Sequence, residues 1–143
     1  MTLPTREPAA TAPDLETQTL DGSPLRLAGY RGPFVLLDFR YFLPGLEMEG
    51  LESVSKAFGS EDRFVIISLC ERADEDYVRQ LKRQGATHWV VGKLDFSAMA
   101  GPYDLASTPF PVILLVGPDG KLLSSPLHGE AIYASVAQAL GRS

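Results

Sequence analysis

Three nearly continuous apolar runs constrain this chain most: FVLLDF at 34–39, FVIISL at 64–69 and PVILLV at 111–116. A strand with one wet face alternates apolar and polar residues, so a run without alternation belongs to a strand covered on both faces. Three such strands require a central sheet with helices on each side.

The intervening segments supply those helices. In LEMEGLESVSKAFG, Met48, Leu51, Ser55 and Phe58 mark one helical face, Val54 lies beside it, and Gly59 is a natural stop. In ADEDYVRQLKRQG (73–85), acids fill the first turn, Tyr77, Val78 and Leu81 share a face, and bases precede Gly85. EAIYASVAQAL (130–140) aligns Ile132, Val136, Ala139 and Leu140 and stops at Gly141. HWVVG (88–92) reads as a short strand, and FSAMAGPYDL (96–105) as an irregular or single-turn helical segment. Pro118-Asp119-Gly120 is a tight turn that returns KLL (121–123) antiparallel to 111–116. Upstream, Leu15, Thr17 and Thr19 alternate with polar residues, Asp21-Gly22 offers turn chemistry, and Leu25 and Leu27 resume the alternation, which predicts a β-hairpin. Residues 1–13 hold three prolines and are expected to be a flexible arm ahead of one domain, 14–143. The expected fold class is α/β: a mixed central sheet flanked by helices, with an N-terminal β-hairpin and right-handed crossovers.

At 143 residues the chain can bury a core without disulfides. Its net charge of −5 argues against nucleic acid, which needs a clustered positive field. No run approaches the ~20 apolar residues of a membrane span. MTLPTREPAATAP lacks the apolar segment of a secretory signal, so the cytoplasm is the expected address. The single cysteine, Cys70, excludes an internal disulfide and a cysteine-based zinc site. His88 and His128 have no second ligand at metal spacing, so neither metal nor cofactor is expected, and both read as surface residues.

Three stretches occur in order: "APDLETQTLDGSPLRLAGYRGPFVLLDF", "FVIISL" followed by a helix, and "PFPVILLVGPDGKLL". Together, over about residues 12–141, they resemble the thioredoxin-like superfamily. The nearest branch is the redoxins, which comprise alkyl hydroperoxide reductase/thiol-specific antioxidant proteins and thiol–disulfide oxidoreductases. The resemblance implies a thioredoxin-like fold and makes Pro111 the candidate cis-proline facing the active-site helix. It also exposes an omission. In thioredoxin-type members the strand ending here at Phe39 leads to a tryptophan-bearing loop and a Cys-x-x-Cys at the helix start. Peroxidase members place a Thr and a Cys there, in a segment such as T-P-G-C. This chain has Leu43-Pro44-Gly45-Leu46-Glu47. Pro-Gly survives, Leu46 or Glu47 stands where the cysteine belongs, and Leu43 or Pro44 where the threonine belongs. Ser107-Thr108-Pro109-Phe110 fills the stretch where peroxidases keep an arginine. Standard dithiol exchange and peroxide reduction lack their atoms.

The remaining candidates each carry two readings. Cys70, at the end of FVIISL, is either a single redox-active thiol on the functional edge of the sheet or a buried, inert cysteine. Glu47, Glu49 and Glu52 either complement the helix dipole or supply a carboxylate acid/base in the vacated pocket. Asp38 is a buried carboxylate beneath the loop, or pairs with Arg40. Tyr41 and Phe42, beside Pro109-Phe110-Pro111, either form an apolar recognition patch or fold inward to plug the site.

The leading expectation is a non-catalytic binding or regulatory module whose groove, lined by Tyr41, Phe42, Phe110 and Pro111, takes a protein or extended peptide. The alternatives are an antioxidant thiol reductase or peroxidase using Cys70, and a subunit whose exposed aromatics form a homodimer face.

Overall fold

The computed structural model describes residues 10–86 and 88–142. β1 (Glu16–Gln18) and β2 (Pro24–Arg26) form the N-terminal hairpin, with Thr17 opposite Leu25 and Gly22 at φ +90° in the turn. A 3-10 turn (Leu27–Tyr30) leads into β3 (Phe34–Leu43), followed by α1 (Met48–Phe58), β4 (Phe64–Ala73), α2 (Glu75–Arg83) and β5 (Trp89–Lys93). α3 (Phe96–Tyr103), β6 (Val112–Val116) and α4 (Glu130–Ala139) complete the chain. The main sheet runs β5-β4-β3-β6; β3, β4 and β5 are parallel and β6 is antiparallel to β3. This is the expected mixed sheet in a thioredoxin-like fold.

The two parallel crossovers place α1 and α2 on one face, where α4 joins them. Leu51, Val54 and Phe58 of α1, Leu81 of α2, and Ile132 and Val136 of α4 cover Leu36, Ile66 and Ile113 there. On the other face, Leu25, Leu27, Met99 and Tyr103 cover Leu37, Phe39, Ile67 and Leu69. α1 lies tight on α4: a Cβ on Gly50 would come within 2.9 Å of Ile132 Cδ1.

The sheet departs from the sequence reading in its lengths. β3 ends at 43 rather than 39, and β4 at 73 rather than 69, each four residues longer. Arg40 and Glu71 looked like strand ends because they are charged. Arg40 instead finds a buried partner, and the strand continues through Tyr41 and Phe42, both strong strand formers. The segment 96–105, expected to be irregular or a single helical turn, forms the two-turn α3. Asp95 caps it by accepting from Ala98 N at 3.3 Å, and left-handed Asp104 closes it past Pro102. The predicted antiparallel return at 121–123 is reduced to one bridge, Val116 to Leu122. Leu115 N then bonds Ser124 Oγ (3.0 Å), and a side-chain acceptor in place of a backbone carbonyl ends the ladder.

Both outer strands are covered. Leu20 N bonds Val91 O (3.3 Å) on the outer side of β5, and a Cβ at Gly92 would come within 2.7 Å of Leu25. On β6, Leu123 N bonds Leu115 O and Leu127 N bonds Ile113 O, each at 2.8 Å. Residues 1–9 of the expected arm lie outside the described residues. Residues 10–13 are docked rather than free: Ala12 N bonds Gly120 O, Leu122 N bonds Ala10 O, and Ala12 is buried. Small residues there let the backbone lie close against the 118–120 turn.

Candidate functional site

The longer strands change what lies at the carboxyl edge of the sheet. Only Pro44–Glu47 now separates β3 from α1, so Tyr41, Phe42 and Leu43 belong to the strand. Leu43 is buried in the helix-side core. Phe110–Pro111 is a cis peptide, as the resemblance implies, and Leu43–Pro44 is cis as well. Gly45 has no room for a side chain: a Cβ would meet Phe42 O at 2.8 Å and Arg40 Nη1 at 3.2 Å.

Beneath this loop lies a buried polar chain. Arg40 Nη1 donates to Leu46 O (2.9 Å), and Arg40 Nε donates to Asp38 Oδ2 (2.8 Å). Ser68 Oγ also donates to Asp38 Oδ2 (2.7 Å), and the Trp89 indole Nε1 donates to Ser68 Oγ (3.0 Å). Asp38, Arg40 and Ser68 are all buried. Parallel register explains the meeting, since Asp38 lies opposite Ser68. Burial pushes the Asp38 carboxyl above its ordinary range, opposed by Arg40 and then Ser68. Asp38 is both a buried carboxylate beneath the loop and the partner of Arg40. Ser68 and the Trp89 indole were missed, because only the register of β3 on β4 brings them in. The i, i+2 spacing of Asp38 and Arg40 was the available signal, since it puts both on one face of a strand.

Cys70 is not on the edge where a strand ending at 69 would have placed it. Three strand residues follow it, its side chain packs in the helix-side core, and it is 2% exposed. Its Sγ contacts Gly92 O at 3.8 Å. Burial pushes the thiol up to about 11; the Asp38 charge adds to this and Arg40 opposes it. At neutral pH such a thiol is protonated, and the thiolate is the reactive form.

Glu47 has a partner the sequence reading did not find. It sits at the start of α1 with φ 64°, an uncommon value outside glycine, and its side chain turns away from α1. Oε1 accepts from Gly129 N (3.0 Å), and Oε2 lies 3.3 Å from His128 Nδ1. The carboxylate therefore serves the N-terminus of α4 rather than that of α1, and His128 is engaged at the surface rather than free. Residues 81 positions apart left no local signal for this contact. Glu49 and Glu52 remain exposed on α1. Glu52 bonds the Tyr77 hydroxyl across a groove of about 840 Å³ between α1 and α2, which includes no residue of the loop 44–47.

Above the loop the aromatics face outward. Tyr41 is 55% exposed and stacks on Phe110, with ring centroids 4.3 Å apart and planes at 31°. Phe96, at the start of α3, extends the group, 6.2 Å from Phe110. Leu46 is 73% exposed. Tyr41 therefore flanks the site rather than plugging it; the space beneath is filled by Arg40. Phe42 is also exposed, while among the described residues Phe110 stacks with Tyr41 and Phe96. Pro111 is buried behind the stack. Phe96 was missed because its contact with Phe110 is made only by tertiary packing.

Among the described residues, no group of three or more His, Cys, Asp or Glu could hold a metal ion, and no helix is long and apolar enough to cross a membrane.

No protein-family model matches the chain, and no curated protein matches it. Solved structures do. The thioredoxin domain of a thiol-disulfide oxidoreductase from Bacteroides vulgatus is 25% identical, with a TM-score of 0.69 over 94% of this chain and 98% of that one. A thiol:disulfide interchange protein from Bacteroides sp. is 24% identical, with a TM-score of 0.70 over 94% and 91%. A thiol-disulfide oxidoreductase from Bacteroides fragilis is 22% identical, with a TM-score of 0.65 over 90% and 98%. The chain thus has the thioredoxin-like fold of thiol–disulfide oxidoreductases, with its single cysteine outside the loop at 43–47.

Proposed function

We propose that this protein is a non-catalytic binding module: a thioredoxin-like scaffold that has kept a peptide-docking groove and given up thiol chemistry. One observation carries the reading. The Tyr41–Phe110–Phe96 stack beside Pro111, its outer rings Tyr41 and Phe96 exposed, crowns a loop with no thiol, while the one thiol is buried on the other side of the sheet. Phe110 also makes no backbone–backbone hydrogen bond among the described residues, which leaves its N–H and C=O for an extended segment laid along it. Exposed rings with a polar strand edge beside them are the usual make-up of a docking patch.

The test is thiol-dependent disulfide reduction and peroxide consumption by the parent protein and by Cys70→Ser. No turnover above background in either is expected. Turnover in the parent that disappears in Cys70→Ser would sink the reading in favour of a one-cysteine antioxidant enzyme.

A further inference from the structure

We infer that a pocket between the N-terminal hairpin turn and α2 binds a free α-amino acid with an apolar side chain. The pocket holds about 500 Å³, within the usual range for small-molecule sites, and shares no residue with the ring stack. Three elements build it. Leu20 N bonds Val91 O (3.3 Å) and Thr19 bridges Gly92, which lays the turn 19–23 against the outer edge of β5. Buried Leu81 anchors α2, and Val78 and Lys82, four residues apart, both line the pocket from that helix. Trp89 and Val91 of β5, two residues apart and both buried in the helix-side core, line it from the sheet.

Two exposed charges of opposite sign line this apolar space, Asp21 from the turn and Lys82 from α2. The Thr19 hydroxyl and Ser23 N (3.2 Å) donate to Asp21 Oδ1 and hold the carboxylate in place. These bonds keep its carboxyl below the ordinary range, and the Lys82 charge adds to the effect. Lys82 is thus near enough to be felt at Asp21, yet among the described residues neither makes an ion pair with the other or with any third group. A carboxylate and an ammonium held apart beside an apolar floor are complementary to a dipolar head on an apolar body. An α-amino acid has that form: its ammonium donates to Asp21, its carboxylate accepts from Lys82, and its side chain covers Trp89 and Val91. A head with one charge meets repulsion from the like charge and leaves the other unanswered.

Trp89 is the sole tryptophan, so its emission reports on the pocket floor. The full chain is titrated with leucine, N-acetyl-leucine (anionic head only), leucinamide (cationic head only) and glycine (dipolar head, no apolar body), with ligand-observed NMR as a second readout. Leucine is expected to bind about tenfold tighter than each of the other three, a margin of one charge-assisted hydrogen bond or one buried apolar group. Asp21→Asn should remove the preference over N-acetyl-leucine, and Lys82→Gln the preference over leucinamide; both side chains are exposed, so the fold is undisturbed. Trp89 also borders the α1–α2 groove, whereas Leu20 lines only this pocket, so Leu20→Asp should abolish binding and thereby locate it. Tyr41→Ala should leave it unchanged. Equal binding of leucine, its acetyl derivative and its amide would overturn the inference, as would glycine binding as well as leucine. Silence from every ligand in both readouts, or binding that survives Leu20→Asp, would overturn it too. None of these outcomes touches the docking reading of the ring stack.

Discussion

The two faces of β3 follow different rules. On the face toward Leu25, Met99 and Tyr103, the buried residues Val35, Leu37 and Phe39 are apolar, and the strand surfaces in an open ring stack at Tyr41. On the face toward α1, α2 and α4, the same strand carries Asp38 and Arg40, buried and tied to Ser68, Trp89 and the loop carbonyl of Leu46. Shape and area hold the first face, while the second rests on a buried polar chain in which Asp38 Oδ1 and Arg40 Nη2 have no partner among the described residues. A strand can thus harden the floor beneath a loop on one side and offer exposed rings on the other, one residue apart.

Substitutions that hit one face at a time separate these rules. Arg40→Met keeps much of the side-chain volume but leaves Asp38 buried and unpaired. It should cost about 3–5 kcal/mol in urea unfolding, whereas Asp38→Asn combined with Arg40→Met should lose much less. Equal losses in the single and double variants would mean that Arg40 acts by packing alone. On the apolar face, Leu37→Ala should cost about 2–5 kcal/mol as a cavity, with no rescue by a second site.

Cys70 probes the helix face by pH. Its thiol is raised in the folded state to about 11, so the folded protein holds the proton more tightly than the unfolded chain. The stability it contributes is complete below the ordinary thiol range and is lost as pH rises through that range toward about 11. Cys70→Ser should flatten this alkaline decline. At pH 8 the native thiol should resist an aromatic disulfide reagent until the protein is unfolded, since only on the order of one in a thousand thiols is ionised there. Rapid labelling of the native protein would place the thiol nearer the surface than its packing allows. The smallest effect belongs to the outer end of the strand. Tyr41→Ala should change stability by no more than about 0.5 kcal/mol, because the ring is exposed. A larger loss would make the stack a structural element rather than a contact surface.

Much of this was legible in the sequence. Unbroken apolar runs gave the doubly covered sheet, and two-fold spacing hinted at the Asp38–Arg40 pair. The missing sulfurs were plain at Leu43–Glu47. The strand ends were not legible, because a charge within a run is ambiguous until its partner across the sheet is known. That one ambiguity misplaced Cys70 at the edge and left Tyr41 undecided between flanking and filling. Contacts made only by tertiary folding, such as Glu47 with His128 and Phe96 with Phe110, had no local trace.

The covered outer strands bear on how the protein behaves at high concentration. A sheet whose outer strands are already bonded in part, to Leu20 on one side and to Leu123 and Leu127 on the other, gives another copy an interrupted ladder to extend. Stacking into fibres then requires one of these flaps to peel away first. The segments 19–23 and 121–127 thus act as guards against polymerisation, and deleting either should expose a strand edge on which further copies can add.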